Sequence, residues 1–340
     1  MIFITGVSGY IGSHVALSLV RAGYEVVGID DFSNSYELLG QHLSDLCGDK
    51  LQIMNLDIRD SEGLYKILSR RACEGVIHFA AHKSVSDSIL NPLDYFDINV
   101  SGTLSLLRAM SNAGVNNLVF SSSATVYGDA DSVPTAEDTE FKTPENPYGR
   151  SKQMVEGILG DIARSDPSWR IAALRYFNPL GNDSSGCLGE APRKRATNVL
   201  PVLLNCLDGN EGVFSIFGDN YSTSDGTAIR DYIHVSDLAD GHTRAYEYLI
   251  KNSGFRAFNL GSGDGYTVMQ LLRTVEEVSG ESVKHKIADR REGDVAASLA
   301  DTRRAKNELN WEPRFTLTDM VKHALMWRDS NLYRDLTQKN

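Results

Sequence analysis

The amino-terminal half of the chain alternates two hydrophobic periods. Met1 to Thr5 is a short apolar run rich in β-formers, and Ser13 to Ala22 then repeats its apolar positions at helical spacing. Further strand-like runs fall at Glu25 to Ile29, Leu51 to Asn55, Val76 to Phe79 and Leu118 to Ser121, with helical stretches such as Pro92 to Ala113 between them. Regular alternation of strand and helix predicts an α/β fold built on a doubly wound parallel sheet. Past Leu180 the alternation weakens, and Gly181 to Thr197, rich in Gly, Ser, Asn and Pro, reads as a loop where the domain changes. Near the end, Leu317, Met320, Ala324 and Trp327 form a packing stripe on a helix from Thr316 to Arg328.

Chemistry first enters where the first strand runs into Gly6-Val7-Ser8-Gly9-Tyr10-Ile11-Gly12. In a strand-turn-helix unit, Gly6 permits the tight turn, Gly9 lets a diphosphate approach the backbone, and Gly12 lets the helix pack closely on the strand. The helix amino terminus, with its free N–H groups and dipole, then suits the anion. The spacing is G-x-x-G-x-x-G rather than the commoner G-x-G-x-x-G, so the acid that follows matters. Asp30 ends the second strand, where a carboxylate accepts hydrogen bonds from both ribose hydroxyls and repels a 2′-phosphate, which favours NAD over NADP. The third strand ends at Asp57-Ile58, placed to flank an adenine, and the fourth in Ala80-Ala81, small enough for a cofactor to lie close. Lys83 follows at that edge, where a solvated surface lysine is an equal reading. Asn99 lies among packing neighbours, so it serves either a structural hydrogen bond or the cofactor.

The next strand runs into Ser121-Ser122-Ser123, either turn residues or ligand contacts at a carboxyl strand end. Further on, Pro147 opens a helix that brings Tyr148 and Lys152 to one face, a turn apart. A phenol titrates near 10, but a neighbouring cation favours phenolate and makes a base of it. Composition adds limits. The 340 residues carry a net charge of −11, which argues against nucleic-acid binding and requires local cations for any anionic substrate. Cys47, Cys73, Cys187 and Cys206 have no disulfide or zinc spacing and read as reduced, buried thiols; no metal is expected. No apolar run is long enough to span a bilayer, no signal peptide is evident, and the cytoplasm is the expected location.

Ser121 to Gly128, Arg175 to Pro179, Asp225-Gly226-Thr227, Arg230 to Val235 and Arg291-Glu292-Gly293-Asp294 together resemble the UDP-glucose (UDP-galactose) 4-epimerases of the extended short-chain dehydrogenase/reductase family. The resemblance runs from the first strand to about Trp311. It implies a tightly held NAD, a Rossmann domain over 1–179 to which 227–258 returns, and a smaller α/β carboxyl-terminal domain over 180–340 for the nucleotide sugar. It further implies a homodimer and reversible 4-epimerisation of UDP-hexoses through a transient 4-keto sugar and NADH. Tyr148 takes the proton of the 4-hydroxyl, Lys152 lowers the tyrosine pKa and holds the nicotinamide ribose, and Ser123 orients or relays the proton. Cofactor contacts carry over to Tyr10, Ile11, Asn34, Ser35, Phe79, Ser121, Tyr176 and Phe177 beside the residues above. Substrate contacts carry over to Lys83, Asn178 and Asn198, to Phe217 by the uracil, to Arg230 and Arg291 as a diphosphate clamp, and to Asp294 at the uridine ribose. Outside the motif, either arginine reads as a salt-bridge partner.

Three departures from the family pattern matter. His82 replaces an apolar residue, to touch ligand or to pack. The loop Asn182 to Ala196, with Arg193, Lys194 and Arg195, differs from the usual continuation and blurs substrate contacts there. Ser298 stands where resembling enzymes restricted to glucose and galactose carry a tyrosine, so space beside sugar carbon 2 is expected to admit UDP-N-acetylglucosamine and its galacto epimer. A 4,6-dehydratase is the nearest rival. Such enzymes carry an Asp-Glu pair where this chain has Ala124 and Thr125, and so dehydration lacks its acid and base.

Overall fold

The computed structural model describes residues 1–70, 72–193, 196–209, 212–291 and 294–337. Strands β1 (Ile2–Thr5), β2 (Val26–Asp30), β3 (Leu51–Asn55), β4 (Gly75–His78), β5 (Asn117–Ser123) and β6 (Arg170–Tyr176) alternate with helices. These are α1 (Tyr10–Arg21), α2 (Glu37–Cys47), α3 (Ser61–Arg70), α4 (Val85–Leu90), α5 (Pro92–Phe96), α6 (Thr103–Ala113) and α7 (Pro147–Ser165). The second half adds β7 (Asn178–Leu180), α8 (Val199–Leu207), β8 (Phe214–Phe217), β9 (Ile229–His234), α9 (Val235–Lys251) and β10 (Gly254–Leu260). It closes with β11 (Gly265–Thr267), α10 (Val268–Ser279), β12 (His285–Ala288), β13 (Ala297–Ser298), α11 (Arg303–Leu309), α12 (Leu317–Arg328) and α13 (Asn331–Thr337).

Seven strands pair in parallel in the order β10-β6-β5-β4-β1-β2-β3. Side chains on successive strand residues go to opposite faces. Ile2, Ile4, Ile77, Val119 and Leu174 therefore pack with α1 and α9 residues such as Val15, Leu19 and Leu238. Phe3, Val76, Leu118, Phe120 and Ile171 pack on the other side with Leu64, Leu106 and Leu159. Both faces are covered, as a doubly wound α/β sheet requires. A third core, with Leu203, Phe214, Tyr232, Leu271 and Met320, lies under the smaller α/β part, where β7, β11 and β13 pair with β9 and β8 pairs with β12. Its α12 buries Leu317, Met320 and Ala324 in this core, while Trp327 of the same helix packs into the first.

The return of the chain differs in detail from the expected 227–258. Strand β9 belongs to the smaller sheet, and it is α9 and β10 that rejoin the large one. A strand with polar residues on both faces, as β9 has in Arg230, Asp231 and His234, carries no sequence mark of which sheet it will join. The helical stretch Pro92 to Ala113 holds a π-helical segment at Asp97–Gly102, with Asn99 inside it; such bulges cluster at functional sites. Cys47 and Cys206 are buried, while Cys187 is exposed, because it sits at a loop tip rather than on a core face. No helix among the described residues is long and apolar enough to cross a membrane.

Candidate active site

Strand order reverses between β1 and β4, which opens a crevice at their carboxyl ends. Gly6 leaves β1 at φ 69°, and a Cβ there would come within 2.8 Å of the Ala80 nitrogen, so the two strand ends nearly touch. A Cβ on Gly12 would run into the Gly6 carbonyl, whereas one on Gly9 would meet only that oxygen, at 3.3 Å. Helix α1 starts at Tyr10 without a side-chain cap, and the Ser8 hydroxyl beside the turn is buried with no hydrogen-bond partner. The bare backbone at Gly9, N–H groups without a side-chain cap and an unpartnered hydroxyl fit a diphosphate. Tyr10 leans away and donates its hydroxyl to the Gly181 carbonyl, while Ile11 packs against the core.

At the end of β2, Asp30 accepts from Ser8 N at 2.9 Å through one oxygen, and from Phe32 N at 3.0 Å and Ser35 Oγ at 2.7 Å through the other. Burial raises its carboxyl pKa and those three hydrogen bonds pull it back. The first oxygen retains lone-pair capacity for a ribose hydroxyl, and Asn34 stands exposed beside it. Asp57 is held below the usual carboxylate range by Arg59, 2.6 Å away. Ile58 is buried under Gly102, whose Cβ would meet it at 2.7 Å. Phe79 and Ala80 both donate their N–H to Thr5 Oγ1 at 3.1 Å, and Ala81 is half-buried beside them. Asn99 accepts from His82 N at 2.8 Å and donates to His82 O and to Ser151 Oγ, at 3.0 and 2.9 Å. Of its two readings the structural one is seen, tying the β4 loop to α7. The His82 ring packs on Tyr95 with centroids 5.3 Å apart.

Strand β5 delivers Ser121 and Ser123 to the same edge, and α7 delivers Tyr148 and Lys152. Asn146 caps that helix through Gly149 N, and Pro147 occupies its first turn. Thr125 donates its N–H and its hydroxyl to Ser123 Oγ, at 3.2 and 3.0 Å. With both lone pairs taken, the Ser123 proton is directed at Tyr148, and that hydrogen bond favours the phenolate. Lys152 Nζ donates to the Ser121 carbonyl at 2.8 Å and sits 6.0 Å from the Tyr148 ring centroid. Burial brings its pKa down to about 7. The expected depression of the Tyr148 pKa is not produced by the chain alone: burial outweighs the Ser123 hydrogen bond and raises it. A lysine that shares its proton near neutrality is not a fixed charge. Tyr176 turns its hydroxyl onto His242, and Phe177 is buried against Val126 and Tyr127.

Residues expected at the substrate gather around β8, β9 and β13. Arg230, opposite Ser298 in the strand pairing, donates to the Val295 carbonyl at 2.9 Å and pairs with Asp294 at 3.1 Å. The Arg291 guanidinium lies 3.7 Å above the Phe217 ring, and Asp294 N donates to Arg291 O at 3.2 Å. Glu292 and Gly293, like Lys194 and Arg195, lie outside the described residues. Ser298 lines a cavity of about 30 Å³ with Ala124, Tyr127 and Phe177, close to the carboxyl end of β5. Asn178 stands on β7 beside Tyr232 of β9.

Glu190, which the sequence reading missed, accepts from Asn198 Nδ2 at 2.9 Å and from Lys83 Nζ at 3.2 Å. It therefore joins a residue at the edge of β4 to the start of α8. Only its place in the irregular loop could have hinted at this. Among the described residues no cluster suits a metal ion.

Fold and site together define a dinucleotide-binding enzyme of the Rossmann type with a buried tyrosine and lysine side by side at the strand end. A family profile described as GDP-mannose 4,6 dehydratase matches residues 3–324. UDP-glucose 4-epimerase of Bacillus subtilis (strain 168) is 42% identical over 331 residues, covering 97% of each chain. The crystal structure of UDP-glucose-4-epimerase from Stenotrophomonas maltophila, with bound NAD and formylated UDP-arabinopyranose, superposes with a TM-score of 0.94 at 40% identity, covering 100% of this chain and 99% of that one. The UDP-Glc/GlcNAc 4-epimerase of Campylobacter jejuni superposes with a TM-score of 0.84 at 32% identity, covering 96% and 98%. The chain belongs to the family of that profile and, within it, to the UDP-glucose 4-epimerases.

Proposed function

We propose that this protein interconverts UDP-glucose and UDP-galactose at carbon 4, and UDP-N-acetylglucosamine with its galacto epimer as well. The observation that carries the reaction is the convergence of Ser123, Tyr148 and Lys152 beside a turn that fits a dinucleotide. NAD, held by Gly6 to Gly12, Asp30 and the small residues after β4, supplies reversible oxidation at carbon 4 by way of a 4-keto sugar. Tyr148 removes the proton of the 4-hydroxyl and later returns it. Ser123 donates to the phenolate oxygen and orients the reacting hydroxyl. Lys152, protonated, favours the phenolate, and its bond to the Ser121 carbonyl fixes its place. Such proton transfer is worth about a hundred- to ten-thousand-fold in rate. Arg230 and Arg291 supply the cations for a diphosphate that a −11 chain otherwise repels.

Ala124 and Thr125 in the places where dehydratases resembling this chain have acid and base favour epimerisation over elimination. The Ser298 hydroxymethyl beside Phe177 and Ala124 favours acceptance of the N-acetyl group. A homodimer is supported by Ile89, Leu90 and Leu93 on α4 and α5, which are 60%, 78% and 81% exposed on one side of the molecule. Cytoplasmic residence accords with four cysteines present as thiols. The test is incubation of the purified protein with UDP-galactose and no added cofactor. UDP-glucose without net NADH is expected; a keto-deoxy sugar or no product overturns the proposal.

A further inference from the structure

Behind the strand end that carries Ser121 and Ser123 lies an ion pair that the reaction above does not use. Glu156 follows Lys152 by one turn on α7, and Arg175 stands opposite Ser122 on β6. Arg175 Nε and Nη2 donate to the two Glu156 oxygens at 3.0 and 2.7 Å, and the side chains are 5% and 2% exposed. Ser122 Oγ donates to the same carboxylate. Arg175 Nη1 donates to the Tyr127 hydroxyl and to the Glu137 carbonyl, both at 2.9 Å, and Tyr127 donates onward to Asn259 Oδ1 at 2.6 Å. One pair thus ties together β5, β6, α7 and the turn that follows β5.

A buried ion pair is a weak stabiliser, because desolvation cancels much of its attraction and apolar replacement of both partners often leaves folding intact. What this pair does achieve is registration. Ser122 lies between Ser121, whose carbonyl receives Lys152, and Ser123, whose hydroxyl meets Tyr148. We propose that Glu156 and Arg175 are positioning residues of the catalytic site: they set the helix bearing Tyr148 and Lys152 against the serine strand end and keep the net charge beneath Lys152 at zero.

The surroundings leave few other charges to do this. Glu156 raises the affinity of Lys152 for its proton, while burial lowers it more strongly. From β4, His78 faces the ammonium but is pushed down to about 3, by burial first and then by Lys152, and stays neutral. From β6, Tyr176 is held protonated by burial, as is Tyr148 on α7 itself, and β5 contributes the uncharged Phe120 ring at 4.9 Å. Among the described residues, the permanent charges facing Lys152 are Glu156 and, behind it, Arg175.

The inference rests on the proposed roles of Tyr148 and Lys152. It is tested by kcat and kcat/KM for UDP-galactose against pH in the wild-type holoenzyme, Glu156→Gln, Arg175→Met and the double variant, with bound NAD and thermal midpoint recorded for each. Glu156→Gln leaves a bare cation and should move the alkaline limb to lower pH; Arg175→Met leaves a bare carboxylate and should move it higher, each by about half a unit or more. The double variant should fold, retain NAD and restore the limb, with kcat about tenfold below wild type and KM within about twofold. Limbs that stay in place in folded single variants, or a double variant with wild-type kcat, overturn the proposal. If neither single variant folds, the kcat of the double variant decides. Tyr148→Phe separates the two failures: turnover in that variant refutes the catalytic reading itself, whereas an inactive Tyr148→Phe with unmoved limbs refutes the positioning role alone.

Discussion

At the serine strand end, Ser123 is fixed by Thr125 and Lys152 by the Ser121 carbonyl, with a buried ion pair one layer below. Around the smaller sheet, Arg230 is paired with exposed Asp294, Arg291 covers Phe217, and Glu190 holds both Lys83 and Asn198. The first region is braced by buried and half-buried partners, so its dipoles are aligned before any substrate arrives. The second is tied by partners nearer to solvent, where exchanging one ionic partner for another changes the free energy little. Under the proposed function the difference predicts different kinetic roles: changes at the strand end should act on kcat and changes on the substrate side on KM.

The sharpest way to break that division is Tyr148→Phe. It should lower kcat by about a hundred- to ten-thousand-fold while bound NAD, measured after denaturing release, stays at the wild-type level. Arg291→Ala comes next. Loss of a charge-assisted contact to diphosphate should raise KM for the UDP-sugar by about ten- to a hundredfold with kcat little changed. A fall in kcat of that size with KM intact would merge the two regions. Ser298→Tyr should lower the rate on the N-acetylated sugar, relative to the plain sugar, by about tenfold. A ratio that survives removes the space argument.

The smallest expected effect is on stability rather than rate and draws on both regions. His78, His234 and His242 are buried and neutral, with pKa values pushed by burial to about 3, 3 and 4. Each binds its proton less readily folded than unfolded, so its contribution to stability is complete above about 6.5 and is lost as pH falls towards 3 to 4. Thermal midpoints should therefore be level above neutrality and decline below about pH 6.5. A midpoint unchanged down to pH 4 contradicts their burial.

Much of the first region was legible because its signals are local. Strand β3 spans Leu51–Asn55 as its apolar run predicts, and Gly6, Gly12 and Asp30 announce the turn and strand end through spacing alone. Helical period likewise brought Tyr148 and Lys152 to one face. What stayed hidden depends on contacts between distant segments. Glu156 reads as one more helical polar residue until Arg175 on another strand meets it. Glu190 sits in an irregular loop, and nothing in its neighbours points to Lys83 or Asn198. Strand β9 is placed by its partners rather than by its pattern, and the π segment around Asn99 shifts register within a stretch that reads as one unbroken helix.

The central claim, that carbon 4 is inverted by removal and return of its own hydrogen, is tested most directly by running UDP-galactose to equilibrium in heavy water and reading the product by proton NMR. UDP-glucose with its original hydrogen still on carbon 4, and with Tyr148→Phe unreactive, is the result predicted. Deuterium at carbon 4, or a product that has lost its 6-hydroxyl, contradicts it.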